Sequence, residues 1–179
     1  MIYRKPEITE IDRELFRGFI RRQVVTDCWR REGGKWVIKS APFIDDWSDE
    51  DYAFLVTCLK NTLATGGFVY GAFCGDTLKG FVSVEAEPLE GGYLDLSSIH
   101  VSEDLRGKGI GKTLFMAAAD WAKSKGAKRL YISAHSAVES QAFYRAMGCV
   151  DAEICSRKHA EAEPFDCQLE YVLEAGGKR

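Results

Sequence analysis

The most restrictive feature of the sequence is residues 105–115, LRGKGIGKTLF, in which Gly107, Gly109 and Gly111 stand at alternate positions. A segment with strand character comes before it, and apolar residues at helical spacing follow it. Closely spaced glycines between a strand and a helix allow successive N–H groups to turn toward one anion, with the positive end of the helix dipole behind them. The segment therefore predicts an α/β fold with an anion-binding turn; the alternative is an ordinary glycine-containing turn with solvated Arg and Lys side chains.

Two nucleotide-binding signatures fit this segment incompletely. A Walker A loop, G-x-x-x-x-G-K-[ST], matches Gly111, Lys112 and Thr113, but its first glycine falls on Arg106. The strand that follows also lacks the Asp expected to hold magnesium. A dinucleotide fingerprint, G-x-G-x-x-G, fails because its third glycine falls on Lys112. The sequence therefore gives little support to a nucleotide phosphohydrolase.

The whole chain, 1–179, predicts one mixed α/β domain, because its length suits a single core. Apolar spacing predicts helices that begin near residues 9, 48, 110 and 139 and end near residues 22, 66, 126 and 147. Ser48 followed by Asp51 predicts a capping box at the start of the second helix, and Gly75 with Asp76 predicts a turn. Seven strands are predicted over residues 2–5, 68–74, 78–87, 93–101, 129–134, 150–157 and 167–173. Residues 24–47 lack this periodicity and predict a long loop or irregular helix.

Composition and charge exclude several classes of partner. The net charge is −3 and the Lys and Arg residues form no long stripe, so we expect no nucleic-acid partner. No apolar run approaches the roughly 18 residues that span a bilayer, and the N-terminus lacks an apolar export segment, so we expect no membrane association and a cytoplasmic location. The six cysteines are scattered and the three histidines lack ligand spacing, which predicts free thiols, non-catalytic histidines and no metal site.

Two motifs resemble a known family. The string R-G-K-G-I-G, in which Arg106, Gly109 and Gly111 fill the pattern R/Q-x-x-G-x-G/A, resembles motif A of the GNAT superfamily of acyl-CoA N-acyltransferases. Residues 140–149, SQAFYRAMGC, resemble the later helix of that family, which usually ends Y-x-x-x-G-F. The chain departs from the family pattern at Ala137, where Asn is frequent, and at Cys149, where Phe is usual. The predicted strand order is the family's order over nearly the whole chain.

This resemblance implies a fold and a cosubstrate. The fold is a single mixed, largely antiparallel twisted sheet of about six or seven strands with about four helices, whose central strands splay to form the cofactor cleft. The cosubstrate is acetyl-CoA, held by residues 93–149, with the pyrophosphate on main-chain amides of the glycine loop. The implied cofactor contacts are Ile99, His100, Val101, Arg106, Gly107, Lys108, Gly109, Ile110, Gly111, Lys112, Ser140, Phe143 and Tyr144.

The resemblance also implies catalytic roles. The Ile99 N–H would stabilise the carbonyl oxygen, and Tyr144 would protonate the departing thiolate; on its own, Tyr144 is also typical of a half-buried core ring. Asp95 lies four residues before Ile99, on the same strand face if the pairing is regular, and is a candidate base. A structural Asp95, a water chain, or Glu85 and Glu87 on the neighbouring strand remain alternatives.

The acceptor side is expected in the variable region 24–66. Its aromatic residues Trp29, Trp36, Phe43 and Trp47 could line a site for a cationic, partly apolar amine, or could anchor the segment to the domain. We therefore expect a bacterial-type, acetyl-CoA-dependent N-acetyltransferase that acts on a primary amine of a small molecule or peptide by direct attack in a ternary complex. The alternative is a non-catalytic acyl-CoA-binding sensor. Either would be a monomer or a homodimer.

Overall fold

Two half-sheets meet at residues 93–101, which contribute a strand to each. The structure, a computed structural model, describes residues 1–173. The strands of the two half-sheets are β1 (Ile2–Arg4), β4 (Phe68–Cys74), β5 (Thr77–Val84), β6 (Tyr93–Asp95), β7 (Ser98–Val101), β8 (Arg129–Ala134), β9 (Val150–Asp151) and β10 (Cys167–Val172), while β2 (Arg22–Glu32) and β3 (Lys35–Asp46) form a separate hairpin. One half-sheet is antiparallel with strand order β1-β4-β5-β7, and the other has the order β6-β8-β10-β9. The helices are α1 (Asp49–Ala64), α2 (Ile110–Ser124), α3 (Val138–Ala146) and α4 (Arg157–Ala162).

The predicted single strand 93–101 is interrupted where the half-sheets separate. The Leu96 N–H donates to the Tyr131 carbonyl of β8 at 2.9 Å, but the next N–H, that of Ser97, donates to the Ser83 carbonyl of β5 at 3.1 Å. Ser98 is also paired with Ser83, so the chain forms a bulge there. Beyond the bulge the strand stays with β5 while β8 diverges. This confirms the expected mixed, largely antiparallel sheet with splayed central strands.

Helices cover both faces of the first half-sheet. Alternate side chains of β4 point to opposite faces, as the strand period requires. Phe68 and Ala72 join the apolar cluster formed with α2, whereas Val69 and Phe73 join the cluster formed with α1. The predicted capping box of α1 is present, because Ser48 and Asp51 exchange side-chain to backbone hydrogen bonds at 3.2 and 2.8 Å.

The predicted helix over 9–22 is wrong. Two short 3₁₀ turns, Ile8–Glu10 and Glu14–Phe16, occupy part of this segment instead. Ile11, Phe16 and Phe19 are nevertheless buried, whereas Ile8 and Ile20 are exposed, so the apolar spacing reflects partial burial rather than a helix. A Cβ on Gly18 would lie 2.4 Å from Cγ2 of Thr77, which shows how closely the backbone crosses β5.

The predicted loop 24–47 is also wrong, because this region is a long hairpin. Its strands are β2 (Arg22–Glu32) and β3 (Lys35–Asp46), paired antiparallel with a bulge between Val25 and Asp27. Gly33 and Gly34 join them with φ angles of +56° and +80°. A two-residue turn with positive φ at both positions is the geometry that matches strand twist.

The predicted strand 150–157 is largely wrong as well. Only Val150–Asp151 pairs with β10, and the last backbone bond runs from the Ala152 N–H to the Gln168 carbonyl at 3.0 Å. The chain then turns away and forms α4, which ends before the loop that leads into β10. This excursion brings residues 156–166 next to the divergent end of β8.

Candidate active site

An open cleft of about 850 Å³ lies between the free edge of β7, the start of α2 and the inner face of α3. Every predicted cofactor contact lines it except Lys108. The predicted contacts are thus brought together from strand, loop and helix, although they span more than forty residues of sequence. Further lining residues that the sequence did not single out include Arg21, Gln23, Leu96, Ser133, His135, Glu139, Glu163 and Asp166.

The glycine loop presents its backbone to the cleft. Among residues 1–173, none of the N–H groups of 107–112 has a hydrogen-bond partner. Gly107 and Gly109 have φ angles of +75° and +80°, and a Cβ on either would meet nothing within 4 Å, so space lies open beside the loop. A Cβ on Gly111 would lie 3.2 Å from the Phe143 ring, so this glycine allows α2 and α3 to pack closely. Free amides at the start of a 15-residue helix are an arrangement that favours anions in proteins generally.

Two guanidinium groups add positive charge at this end of the cleft. Arg106 donates from Nε to the Val101 carbonyl at 3.1 Å. Arg21 is buried and donates from Nη2 to Asp45 at 2.5 Å, while its Nε and Nη1 have no partner among the described residues. Burial first, and the Arg21 charge second, lower the pKa of Arg106. The loop amides and the Arg21 N–H groups that lack a partner among residues 1–173 fit the phosphates of acetyl-CoA.

The free edge of β7 follows from the alternation of an antiparallel ladder. The Ser102 N–H donates to the Lys79 carbonyl of β5 at 2.9 Å, and in this register Val101 is opposite Gly80. Hydrogen-bonded and non-bonded pairs alternate in such a ladder. The N–H groups of Ile99 and Val101 therefore point away from β5, into the cleft, as the resemblance implies for pairing with an extended ligand.

The Tyr144 phenol lies in the cleft and is protonated at neutral pH. Burial raises its pKa well above its ordinary value, and the charges of Cys149 and Asp166 act in the same direction. Burial also raises the pKa of the neighbouring Cys149 thiol to about 12.

Asp95 does not line the cleft in the part of the chain that the structure describes. The bulge at Ser97 breaks the regular pairing that would place Asp95 and Ile99 on one face. Asp95 is buried and its Oδ2 lies 2.8 Å from Nε2 of His159 on α4. This hydrogen bond raises the pKa of His159. The position of Asp95 therefore supports a structural ion pair rather than the predicted base.

The four predicted acceptor residues separate into two groups. Trp47 lines the cleft, with its ring 4.8 Å from that of His100. Within residues 1–173, the others do not line it. Trp36 donates from Nε1 to Asp151 at 3.0 Å, which ties the hairpin to β9, and Trp29 packs against the main core. Phe43 reaches the cleft only indirectly, through the ring of His135 at 5.6 Å.

Among residues 1–173, no group of three or more His, Cys, Asp or Glu side chains is placed to hold a metal ion. No helix in the same range combines the length and apolar character needed to cross a bilayer.

Comparisons with known proteins agree with the fold. The family model described as "Acetyltransferase (GNAT) family" matches residues 23–149. A nourseothricin acetyltransferase has the same fold with a TM-score of 0.72 at 16% identity, covering 97% of this chain and 98% of that one. A provisionally assigned streptothricin acetyltransferase from Bacillus anthracis str. Ames, in complex with acetyl coenzyme A, gives 0.71 at 15% identity, covering 98% of each chain. The PaiA N-acetyltransferase from Thermoplasma acidophilum, in complex with coenzyme A, gives 0.59 at 16% identity, covering 96% and 98%. A search of curated proteins found no significant match.

Proposed function

The chain belongs to the GNAT acetyltransferase family, and from this we propose that it transfers the acetyl group of acetyl-CoA to a primary amine of a small molecule or peptide in a ternary complex. The single observation that carries the proposal is the cleft itself. It joins an anion-binding loop, a free strand edge and a protonated phenol in one space of about 850 Å³. These are the groups that acyl transfer from a thioester requires.

Each part of the cleft has a defined role in this proposal. The amides of 107–112, with Arg106, hold the diphosphate of acetyl-CoA. The backbone of Ile99 and Val101 pairs with the pantetheine arm, and the Ile99 N–H donates to the carbonyl oxygen as negative charge develops on it. The amine attacks the carbonyl carbon directly, the C–S bond breaks, and Tyr144 protonates the sulfur.

The acceptor side of the proposal rests on the hairpin and on the fold neighbours. Trp47 and Gln23, at the base of the β2–β3 hairpin, line the cleft opposite α3. Two neighbours of the same fold are named for nourseothricin and streptothricin, which supports a small-molecule amine as the acceptor.

A variant of Tyr144 tests the chemistry separately from binding. In Tyr144→Phe we expect kcat for thiol release to fall while the Kd for acetyl-CoA, measured by calorimetry, stays within about twofold, because only the proton donor is lost. Loss of acetyl-CoA binding in this variant would contradict the assigned role. Thermal shift with acetyl-CoA against ATP distinguishes the proposal from a nucleotide phosphohydrolase, since only the specific ligand raises Tm.

A further inference from the structure

A chain of four hydrogen bonds leads from the backbone before α4 into the cleft. The Ser156 N–H donates to the Tyr131 hydroxyl oxygen at 3.0 Å, and the Tyr131 hydroxyl donates to Oε1 of Gln168. Gln168 donates from Nε2 to Oγ of Ser133 at 3.0 Å. Ser133 donates to Oδ2 of Asp166 at 3.1 Å. The chain therefore ends on a carboxylate.

The directions of the bonds follow from the two ends of the chain. The ionised Asp166 carboxylate can only accept, so Ser133 donates to it and in turn accepts from the Gln168 NH₂. The Gln168 carbonyl oxygen then faces Tyr131, whose hydroxyl accepts from the Ser156 N–H and donates to Gln168. All donors point toward Asp166, and hydrogen bonds aligned in this way polarise one another. The chain stabilises the ionised form of Asp166 and fixes its position.

The Asp166 side chain is at the wall of the cleft in which acetyl transfer is proposed to occur. Asp166 and Ser133 both line the cleft, as Tyr144 does. The Asp166 charge contributes to the raised pKa of Tyr144, so the two groups lie within electrostatic reach of each other. Within residues 1–173, none of the three carboxylates that the sequence offered as the base lines the cleft. Asp95 is paired with His159. Glu85 accepts bonds from Thr62 and Ser97, and Glu87 is not among the lining residues.

Two opposing effects set the protonation of Asp166. Burial raises its pKa, and the hydrogen bond from Ser133 lowers it. A raised pKa makes a carboxylate a stronger base at neutral pH than an exposed one. The other titratable groups that face Asp166 are His135 and His159, whose charges lower its pKa, and Glu163, whose charge raises it.

We propose that Asp166 is the general base that makes the acceptor amine nucleophilic, and that Ser133 is its positioning residue. The inference rests on the proposed acetyl transfer. The acceptor enters as an ammonium ion, and one of its protons passes to Asp166. The nitrogen lone pair then forms the C–N bond, the C–S bond breaks, and the sulfur takes the Tyr144 proton. The second proton lost by nitrogen restores the phenol, and Asp166 returns its proton to water, so the net release is one proton.

The test compares pH profiles of kcat/KM for the wild type, Asp166→Asn and Ser133→Ala, with Asp76→Asn in the exposed β4–β5 turn as the matched control. We expect Asp166→Asn to lower kcat/KM about 10²- to 10⁴-fold and to remove the acid limb, with the Kd for acetyl-CoA within about twofold of wild type. In Ser133→Ala the acid limb should move to higher pH with its plateau retained, because the bond that stabilises the carboxylate is lost. The control should match the wild type.

A second readout needs no turnover. Carbon-13 NMR titration of the Asp166 carboxyl should give a higher pKa in Ser133→Ala than in the wild type, whereas a purely structural Ser133 would leave it unchanged. Asp166→Asn with kcat/KM within about threefold of wild type would overturn the inference while leaving the proposed function intact. A wild type that acetylates no amine would instead contradict the proposed function and, with it, the role of Asp166.

Discussion

Replacing Gly109 with Asp adds a negative charge to the glycine loop without displacing its neighbours, and so tests whether the loop binds the diphosphate of acetyl-CoA. Gly109 has a φ of +80°, and a Cβ there meets nothing within 4 Å, so the new side chain enters open space without a clash. The positive φ costs about 1–2 kcal/mol in a residue other than glycine. That strain lowers Tm by roughly 2–8 °C and leaves the fold intact.

The expected loss of affinity is electrostatic. The Asp carboxylate would stand beside the N–H groups of 107–112, where the diphosphate is proposed to bind. Two like unit charges about 4 Å apart repel by about 4 kcal/mol at an effective dielectric constant of about 20. This corresponds to about a thousandfold increase in the Kd for acetyl-CoA. Gly109→Asn has nearly the same shape and tolerates positive φ, so it isolates the charge.

Calorimetric titration of acetyl-CoA into both variants measures this difference. Gly75→Asp is the stability control, because Gly75 also has positive φ, +59°, and open space around its Cβ, but lies in the turn between β4 and β5. We expect the control to bind like the wild type. A Kd for Gly109→Asp within about threefold of that for Gly109→Asn would refute the assignment of the loop to the diphosphate.

Three further predictions follow from individual contacts. His159→Gln should remove a pH-dependent part of the free energy of unfolding, because the hydrogen bond to Asp95 raises the pKa of His159 in the folded state. The stabilisation from this bond is complete below about pH 6.5 and is lost as pH rises through the higher folded pKa. Urea unfolding of the wild type and the variant at several pH values would show this difference. Asp166→Asn should raise Tm at pH 7, because burial raises the folded pKa of Asp166 and its ionised form therefore destabilises the fold; an unchanged or lower Tm in calorimetric scans would contradict this. Trp36→Phe should leave the KM for the amine within about twofold, since Trp36 contacts Asp151 rather than the cleft, and steady-state kinetics would reveal any larger change.

The glycine loop was predictable because its chemistry is local. The spacing of the glycines fixes which backbone conformations are open, and neighbouring residues alone place the strand before them and the helix after them. The capping box of Ser48 and Asp51 and the turn before Asp76 were predictable for the same reason. The burial of β4 on both faces likewise fits its nearly continuous apolar sequence.

The errors come from contacts between distant parts of the chain. Ile11 and Phe19 are buried in the same apolar cluster as Phe81 of β5, so part of the helical spacing arose without a helix. The bulge at Ser97 forms where β8 diverges from β7, which the local sequence around Ser97 does not indicate. Because of this bulge, the strand pairing is not regular between Asp95 and Ile99, and regular pairing was the condition for Asp95 as the base. Asp166 had no recognisable motif, because its significance arises only from packing against Ser133, 33 residues away.

The most direct test of the central claim is thiol release from acetyl-CoA across a panel of primary amines, including nourseothricin and streptothricin, with mass spectrometry of the products. We predict saturable release with at least one amine, an acetylated amine formed in equal amount, and a strongly reduced rate in Tyr144→Phe. Tight acetyl-CoA binding with no amine-dependent thiol release above the rate in buffer would contradict the claim and favour a non-catalytic acyl-CoA sensor.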